Sequence, residues 1–441
     1  MGKTIIEKII QDHTKEEVEP EKIVWMDLDI RSARDFGGPN VVKNYEEEYG
    51  DAPVADREKT FFTFDLCVPP SSLKYADNQQ ICREFSRGQG IEVFDVDWGI
   101  GSHVLMEEGL ARAASTVVGT DSHLNILGAV GSFGQGMGDV DSTFAFKTGK
   151  TWFEVPQTVR VLIKGSFSSP TTAKDLTLCI LKKLGTKKAA LKAVEFYGEA
   201  VRGLDLPGRI TLCSMVTEMA GIIGFIPEYG DSLKTEIENF SGTIFSPHKA
   251  DENCSYSDTL EIDVSGLSPQ VAVPFAPDNV QDVSELKGVK IDTGFIGSCT
   301  NGRTEDLAHA SQILKGKKIK EGVTLKVVPA TKRVYKEILE RGILEDLFRS
   351  GAIISNPGCS GCAEGHIGLT GKGEVQASAG KVETAATCFS EANAKDFTVL
   401  NPTLMPVKEP GPAARAKPST SSMFIPLVCR IKSTAGRSRS E

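Results

Sequence analysis

"VKIDTGFIGSCTNGRTEDLAHASQIL", residues 289–314, reads as a strand, a tight loop and a helix. The loop carries Cys299, followed by Thr300, Asn301, Gly302 and Arg303. Thr304 suits the helix cap, and Glu305 and Asp306 suit the positive end of its first turn. Downstream come a strand in "LKVVPAT" (325–331), a helix over 332–350 and a last strand in "AIISN" (352–356). That strand runs into Pro357, Gly358 and Cys359, and Cys362 follows three positions later. Alternating strands and helices predict a mostly parallel sheet covered by helices. Crossovers in such a sheet are right-handed, so both cysteine-bearing loops leave at its carboxyl edge, where ligands bind. Cys299, Cys359 and Cys362 can therefore meet in space.

Three thiolates fit three corners of an iron–sulfur cubane and leave one iron open; zinc would need a fourth ligand, for which His366 is the only nearby histidine. A lone C-x-x-C is as well explained by chance or by a redox pair, but no helix pattern begins directly at Cys359. "GSCTNGRT" (297–304) also nearly matches the phosphate loop G-x-x-x-x-G-K-[ST], with Arg303 in the lysine position. Arginine is not the equivalent of that compact point charge, so a nucleotide-binding protein stands as the rival reading.

Working outward, the chain has 441 residues, too many for one ordinary core. A hydrophobic share of 40% and a charged share of 25% mark a globular protein, and a net charge of -9 argues against broad nucleic-acid binding. No stretch is long and apolar enough to cross a membrane. "MGKTIIEKIIQDH" spaces Ile5, Ile6, Ile9 and Ile10 as a helix does and lacks the features of a signal or transit peptide. Ten cysteines without export signals suggest reduced thiols and a cytoplasmic protein; Cys82, Cys179 and Cys213 read as small buried hydrophobes.

The βαβ rhythm starts early. "MDLDI" (26–30) and "FFTFDLCV" (61–68) alternate as half-buried strands do. A helix follows the second, capped by Ser71, with Leu73, Ala76, Ile81 and Phe85 on one side. "IEVFDVDW", "STVVGTDSH" and "TVRVLIKGSF" (158–167) are further strands. Pro156 and the proline-spaced "VPFAPDNVQD" (273–282) divide the chain into three expected α/β domains, residues 1–156, 157–282 and 283–400. From Val407 to Glu441 the chain holds seven Lys or Arg against two Glu among Pro, Ser and Ala, so 401–441 reads as a disordered tail. No repeat of fixed period is evident.

"GSCTNGR", "NPGCSGC" and "VGTDSH" followed by a glycine-rich run resemble the aconitase superfamily, in particular the large subunits of 3-isopropylmalate dehydratases, over roughly residues 20–380. "LDIRSARDFGGPNVVKN" with "GTDSHLNILGAVGSFGQGMGDVD" is similar especially to large subunits of 2,3-dimethylmalate dehydratases. The resemblance implies three α/β domains around one [4Fe–4S] cluster held by Cys299, Cys359 and Cys362, with a labile fourth iron that takes the substrate's hydroxyl and a carboxylate as a Lewis acid. It implies reversible dehydration of a branched malate to the corresponding maleate, with the base supplied by a separate small, swivelling subunit. The chain would then be one half of a heteromer.

The same resemblance assigns catalytic roles to Asp65, His103, Asp121, His123 and Glu218, and substrate binding to Asn301 and Arg303. Asp121 and His123 lie two apart after a strand, a spacing that allows a hydrogen-bonded acid–histidine pair. Glu218 sits among Met215, Val216 and Met219 on an expected helix. His103 is offset by one position, Ser102 standing where relatives carry histidine. Two departures bear on chemistry. Leu66 follows Asp65 where relatives carry a histidine, and the "NRNF"-type arginine segment after the cysteine pair is replaced by "KVETAATCFSEANAKDF". An inactive homologue that keeps its cluster as a structural element is thus a third possibility.

Overall fold

The computed structural model describes residues 2–167, 169–274, 276–359, 367–371 and 373–379. The tail expected at 401–441, Cys362, His366 and the segment replacing the arginine motif lie outside the described residues.

Three parallel sheets organise the described chain. The first has spatial order Glu92–Phe94, Thr60–Thr63, Ile30–Arg34, Thr116–Gly119, Phe133–Gly136. The second runs Ile223–Phe225, Ala193–Tyr197, Thr158–Lys164, Asp258–Asp263. The third runs Ile353–Ile354, Thr324–Val327, Thr293–Ile296, Gln376–Ser378. Every pairing within them is parallel. In each sheet the first strand in sequence lies between the second and the fourth. The chain winds one way from it, then returns and winds the other, which makes a crevice where the order reverses. This shared winding leaves no trace as a sequence period. An antiparallel pair, Ile23–Asp27 with Lys150–Glu154, stands apart, so "MDLDI" spans the end of one strand and the approach to another.

Local chemistry explains where the elements depart from the sequence pattern. The strand in "FFTFDLCV" ends at Thr63, and its four residues are all buried, because a central parallel strand is covered on both faces. Beyond it the backbone N–H groups of Asp65, Leu66 and Cys67 turn to the buried carboxylate of Asp35 (3.3, 3.1 and 3.3 Å). The next helix, Leu73–Gln89, is capped by Ser72 rather than Ser71. It buries Gln79, Cys82 and Phe85 and leaves Leu73 and Ile81 exposed, since Gln79 donates to Asp35 and to the Cys67 carbonyl. The helix expected over 332–350 is two, Lys332–Glu340 and Ile343–Ser350, broken where Gly342 takes φ 71°. Thr304 begins its helix instead of capping it; the Asp306 carboxylate takes the Arg303 N–H at 3.0 Å. At the N-terminus, Ile5–Asp12 is helical with Ile5, Ile6, Ile9 and Ile10 buried, and Glu7 folds back on the Thr4 N–H (2.6 Å).

Candidate active site

The first sheet reverses its winding between Ile30–Arg34 and Thr116–Gly119, and the residues leaving these two strands face one another. Arg34 ends one, and Asp121 follows the other. The Arg34 guanidinium donates through Nε to Asp65 Oδ1 (2.7 Å) and through Nη1 to Asp121 Oδ1 (3.1 Å). Asp65 Oδ2 also accepts the Gly101 N–H (2.8 Å), and Asp121 Oδ1 the His123 N–H (3.0 Å). All are buried: Arg34 is 9% exposed, Asp65 0% and Asp121 5%. Burial works against the charge on Arg34, but Asp65 and Asp121 outweigh it and hold the guanidinium firmly protonated. Burial would raise the Asp121 carboxyl, yet Arg34 and His123 carry it below the ordinary carboxylate value. For Asp65, burial and the acidic groups around it win over Arg34 and push the carboxyl up.

Cys299 lies on a single helical turn, Ser298–Asn301, entered through Gly297 at φ 149° and Ser298 at φ 66°. Cys359 follows the strand Ile353–Ile354. Both thiols are buried in one small cluster with Leu66, Ile100 and Ala330. The third sheet's carboxyl edge is seated on the first's. The Cys359 N–H donates to the Asp65 carbonyl (2.8 Å), and the Ile100 N–H to the Ala330 carbonyl (2.8 Å). Gly99, at φ 103°, meets the other edge so closely that a Cβ there would stand 2.3 Å from the Ala330 oxygen. His103, fully buried on the helix Gly101–Glu107, places Nε2 3.1 Å from the Cys299 carbonyl. A carbonyl only accepts, so Nε2 carries the proton and Nδ1 is the bare acceptor of a neutral ring. Burial pulls its pKa down to about 3, with the Arg303 charge adding to the effect.

The second sheet contributes Glu218, which lies in a turn beyond the helix Leu206–Ser214 rather than on a helix. Its Oε1 is 3.2 Å from His123 Nε2, with His123 4% and Glu218 8% exposed. Thr211 Oγ1 donates to the Thr300 carbonyl at 2.7 Å, tying this region to the cysteine loop.

Five of the residues picked from sequence, Asp65, His103, Asp121, His123 and Glu218, thus converge with Cys299 and Cys359. Arg303 donates through Nη1 to Glu107, whose Oε1 also accepts from Thr331 Oγ1 at 3.1 Å, and its buried Nε has no partner among the described residues. Asn301 donates to Asp306 Oδ1 (3.0 Å) and lines a cavity of about 460 Å³ with Asp205, Glu305 and His309. Sequence reasoning passed over Arg34 and Asp35. Adjacent opposite charges at the carboxyl end of a buried strand were the available signal.

The description "Aconitase family (aconitate hydratase)" fits residues 7–382. The chain belongs to the aconitase family, whose members bind a [4Fe–4S] cluster, and it is a hydro-lyase, an enzyme that removes or adds water. It is 41% identical over 375 residues to a 3-isopropylmalate dehydratase large subunit from Methanopyrus kandleri, covering 85% of this chain and 89% of that one. It is 38% identical over 363 residues to a probable methanogen homoaconitase large subunit from Methanothermobacter thermautotrophicus, covering 81% and 85%. The crystal structure of Thermococcus kodakaraensis aconitase X in its holo form aligns at 14% identity with a TM-score of 0.48, covering 85% of this chain and 86% of that one.

Proposed function

We propose that this chain is the large subunit of a cytoplasmic hydro-lyase that reversibly dehydrates a branched malate of the 3-isopropylmalate type, with one [4Fe–4S] cluster on Cys299, Cys359 and Cys362. The observation that carries the reading is the meeting of Cys299 and Cys359, 60 positions apart, in one buried cluster against Asp65 and His103. Their donor chemistry fits the cluster: thiols drawn from two strand ends into apolar surroundings, with Cys362 three positions on. Among the described residues no helix is long and apolar enough to cross a membrane.

When bound, the cluster supplies a Lewis-acidic iron for the substrate's hydroxyl group. The chain's own residues do the rest. Asp121 takes the His123 backbone N–H, Ser122 Oγ stands 3.3 Å from the ring Nδ1 and Glu218 sits across Nε2, so the ring is held at both nitrogens to hold or deliver a proton at Nε2. His103, neutral, offers Nδ1 as an acceptor. Burial of all these groups excludes water and strengthens each polar contact. Leu66 brings carbon, not a proton, against the cysteines, which suits a substrate with an apolar branch. That surface also favours testing 2,3-dimethylmalate beside 3-isopropylmalate. The small subunit is the expected source of the base.

The test is anaerobic purification with iron, labile-sulfide and absorbance measurements, on the parent and on Cys299→Ser, Cys362→Ser and Cys179→Ser. The first two replacements should remove the labile iron and the third should not. Full cluster content in Cys299→Ser sinks the reading. With a small subunit of the same type added, hydration of an alkyl maleate should appear; strong turnover by the isolated chain excludes the two-subunit assignment.

A further inference from the structure

Arg34 stands where the first sheet reverses its winding, at the end of a central strand, among the groups assembled above. A guanidinium has five N–H directions. Asp65 and Asp121 take one each, on Nε and Nη1. Nη2, buried, has no hydrogen-bond partner among the described residues. An unmatched charged donor in a water-poor interior is costly, and proteins keep such groups where something else completes them. The other guanidinium beside the cysteine loop, Arg303, is paired with Glu107 through Nη1 and keeps Nε unmatched among the described residues, but it is held by one carboxylate where Arg34 is held by two. The two aspartates meanwhile fix the plane of Arg34, so its remaining N–H groups point in one set direction before any ligand arrives.

We infer that Arg34 receives a carboxylate of the substrate through Nη2. The inference rests on the reading of the chain as a hydro-lyase of a branched malate and adds the group that recognises one end of that diacid. The planar fork matches a carboxylate oxygen pair as an ammonium does not, so lysine is a poor replacement even though it keeps the charge. Arg34 is then a substrate-binding residue, held in place by Asp65 and Asp121, whose positions it fixes in return.

The experiment uses the complete two-subunit enzyme with the parent chain, Arg34→Lys and Arg34→Gln. Each is given the branched malate and its two half-amides, in which one carboxylate at a time has lost its charge. A hydrogen bond between charged groups corresponds to roughly 10- to 100-fold in affinity. In Arg34→Lys, KM and the equilibrium dissociation constant of the diacid should rise by about that factor with iron content unchanged. The parent's preference for the diacid over one half-amide should shrink by a similar factor, which a merely structural arginine would not cause. An unchanged KM with unchanged discrimination overturns the inference. If the variants fail to fold, the parent decides: rejection of both half-amides, one carboxylate being needed at the cluster and the other at Arg34, supports it, and full use of either half-amide overturns it. If the parent turns over no branched malate but binds diacids in an Arg34-dependent way, the function assigned above falls and this inference stands.

Discussion

Two buried carboxylate clusters sit in the same chain and differ in one respect. Glu195 is fully buried, and both its oxygens are matched. Oε1 accepts the Ile5 N–H (2.8 Å), and Oε2 accepts the Tyr197 and Tyr256 hydroxyls (2.6 and 2.8 Å). Burial raises its carboxyl above the ordinary value even so. Asp65 and Asp121 are as deeply placed, yet the arginine between them keeps Nη2 unmatched, and His103 beside them keeps Nδ1 unmatched, among the described residues. A closed network joins elements: Glu195 pins the N-terminal helix to the second sheet. A network with donors and acceptors left over can receive a ligand. Between these two clusters the completeness of the hydrogen bonding differs more than burial does.

Several substitutions can break or sharpen that contrast. The largest effect is expected at the open network. His123→Ala should lower kcat of the complete, folded enzyme by about 10²–10⁴-fold, the usual weight of a general acid–base group. Near-normal turnover in that variant would move proton transfer away from the His123–Glu218 pair. The closed network should answer the other way. Glu195→Ala strips partners from a backbone N–H and two phenols, so unfolding in urea should need about 3 kcal/mol less, at 1–3 kcal/mol per unmatched buried group. The kcat of the folded fraction should stay as in the parent; a large fall would mean that the second cluster also serves the chemistry.

The smallest effect belongs to a third pair, where water reaches in. His13 sets Nδ1 2.7 Å from the Ile9 carbonyl and Nε2 2.8 Å from Asp29 Oδ2, both acceptors, so the imidazolium fits. Burial opposes its charge, but Asp29 and the Ile9 carbonyl raise the His13 pKa above the usual value. Burial likewise opposes the Asp29 charge, but His13 leads the contacts that lower its carboxyl. The histidine's contribution is complete below the ordinary histidine value and is lost as pH rises through the raised one. The Asp29 contribution is lost only as pH falls through its depressed value. The stability difference between parent and His13→Asn should therefore be larger at about pH 5.5 than at about pH 8.5. For a partly exposed pair it should amount to a few tenths of a kcal/mol. Equal differences at both pH values would show that the pair is not ionic.

Much of the site was legible from local signals. A cysteine after each of two strands, an Asp-x-His after a third, and glycines flanking Cys299 are short-range patterns tied to strand ends. The faces were less legible. "FFTFDLCV" alternates on paper, but Thr60–Thr63 is buried throughout, because cover on both sides of a parallel strand erases the period of two. Ile81, expected on the core side, is 40% exposed, while the polar Gln79 on the same helix is fully buried, since the Asp35 carboxylate draws it in. His103, offset by one position, sits on the helix Gly101–Glu107 with its ring at the Cys299 carbonyl.

By itself the sequence determined the α/β rhythm and the family, because propensity, turn chemistry and motif spacing act over a few residues and are written in order along the chain. Only the tertiary structure decided that the three sheets share one winding, that Arg303 pairs with Glu107, and that Arg34 lies between two aspartates 31 and 87 positions away with one nitrogen left over. The reason is physical. Electrostatic and hydrogen-bonding partners are chosen by distance through space, and strand order sets those distances without marking the chain between the strands.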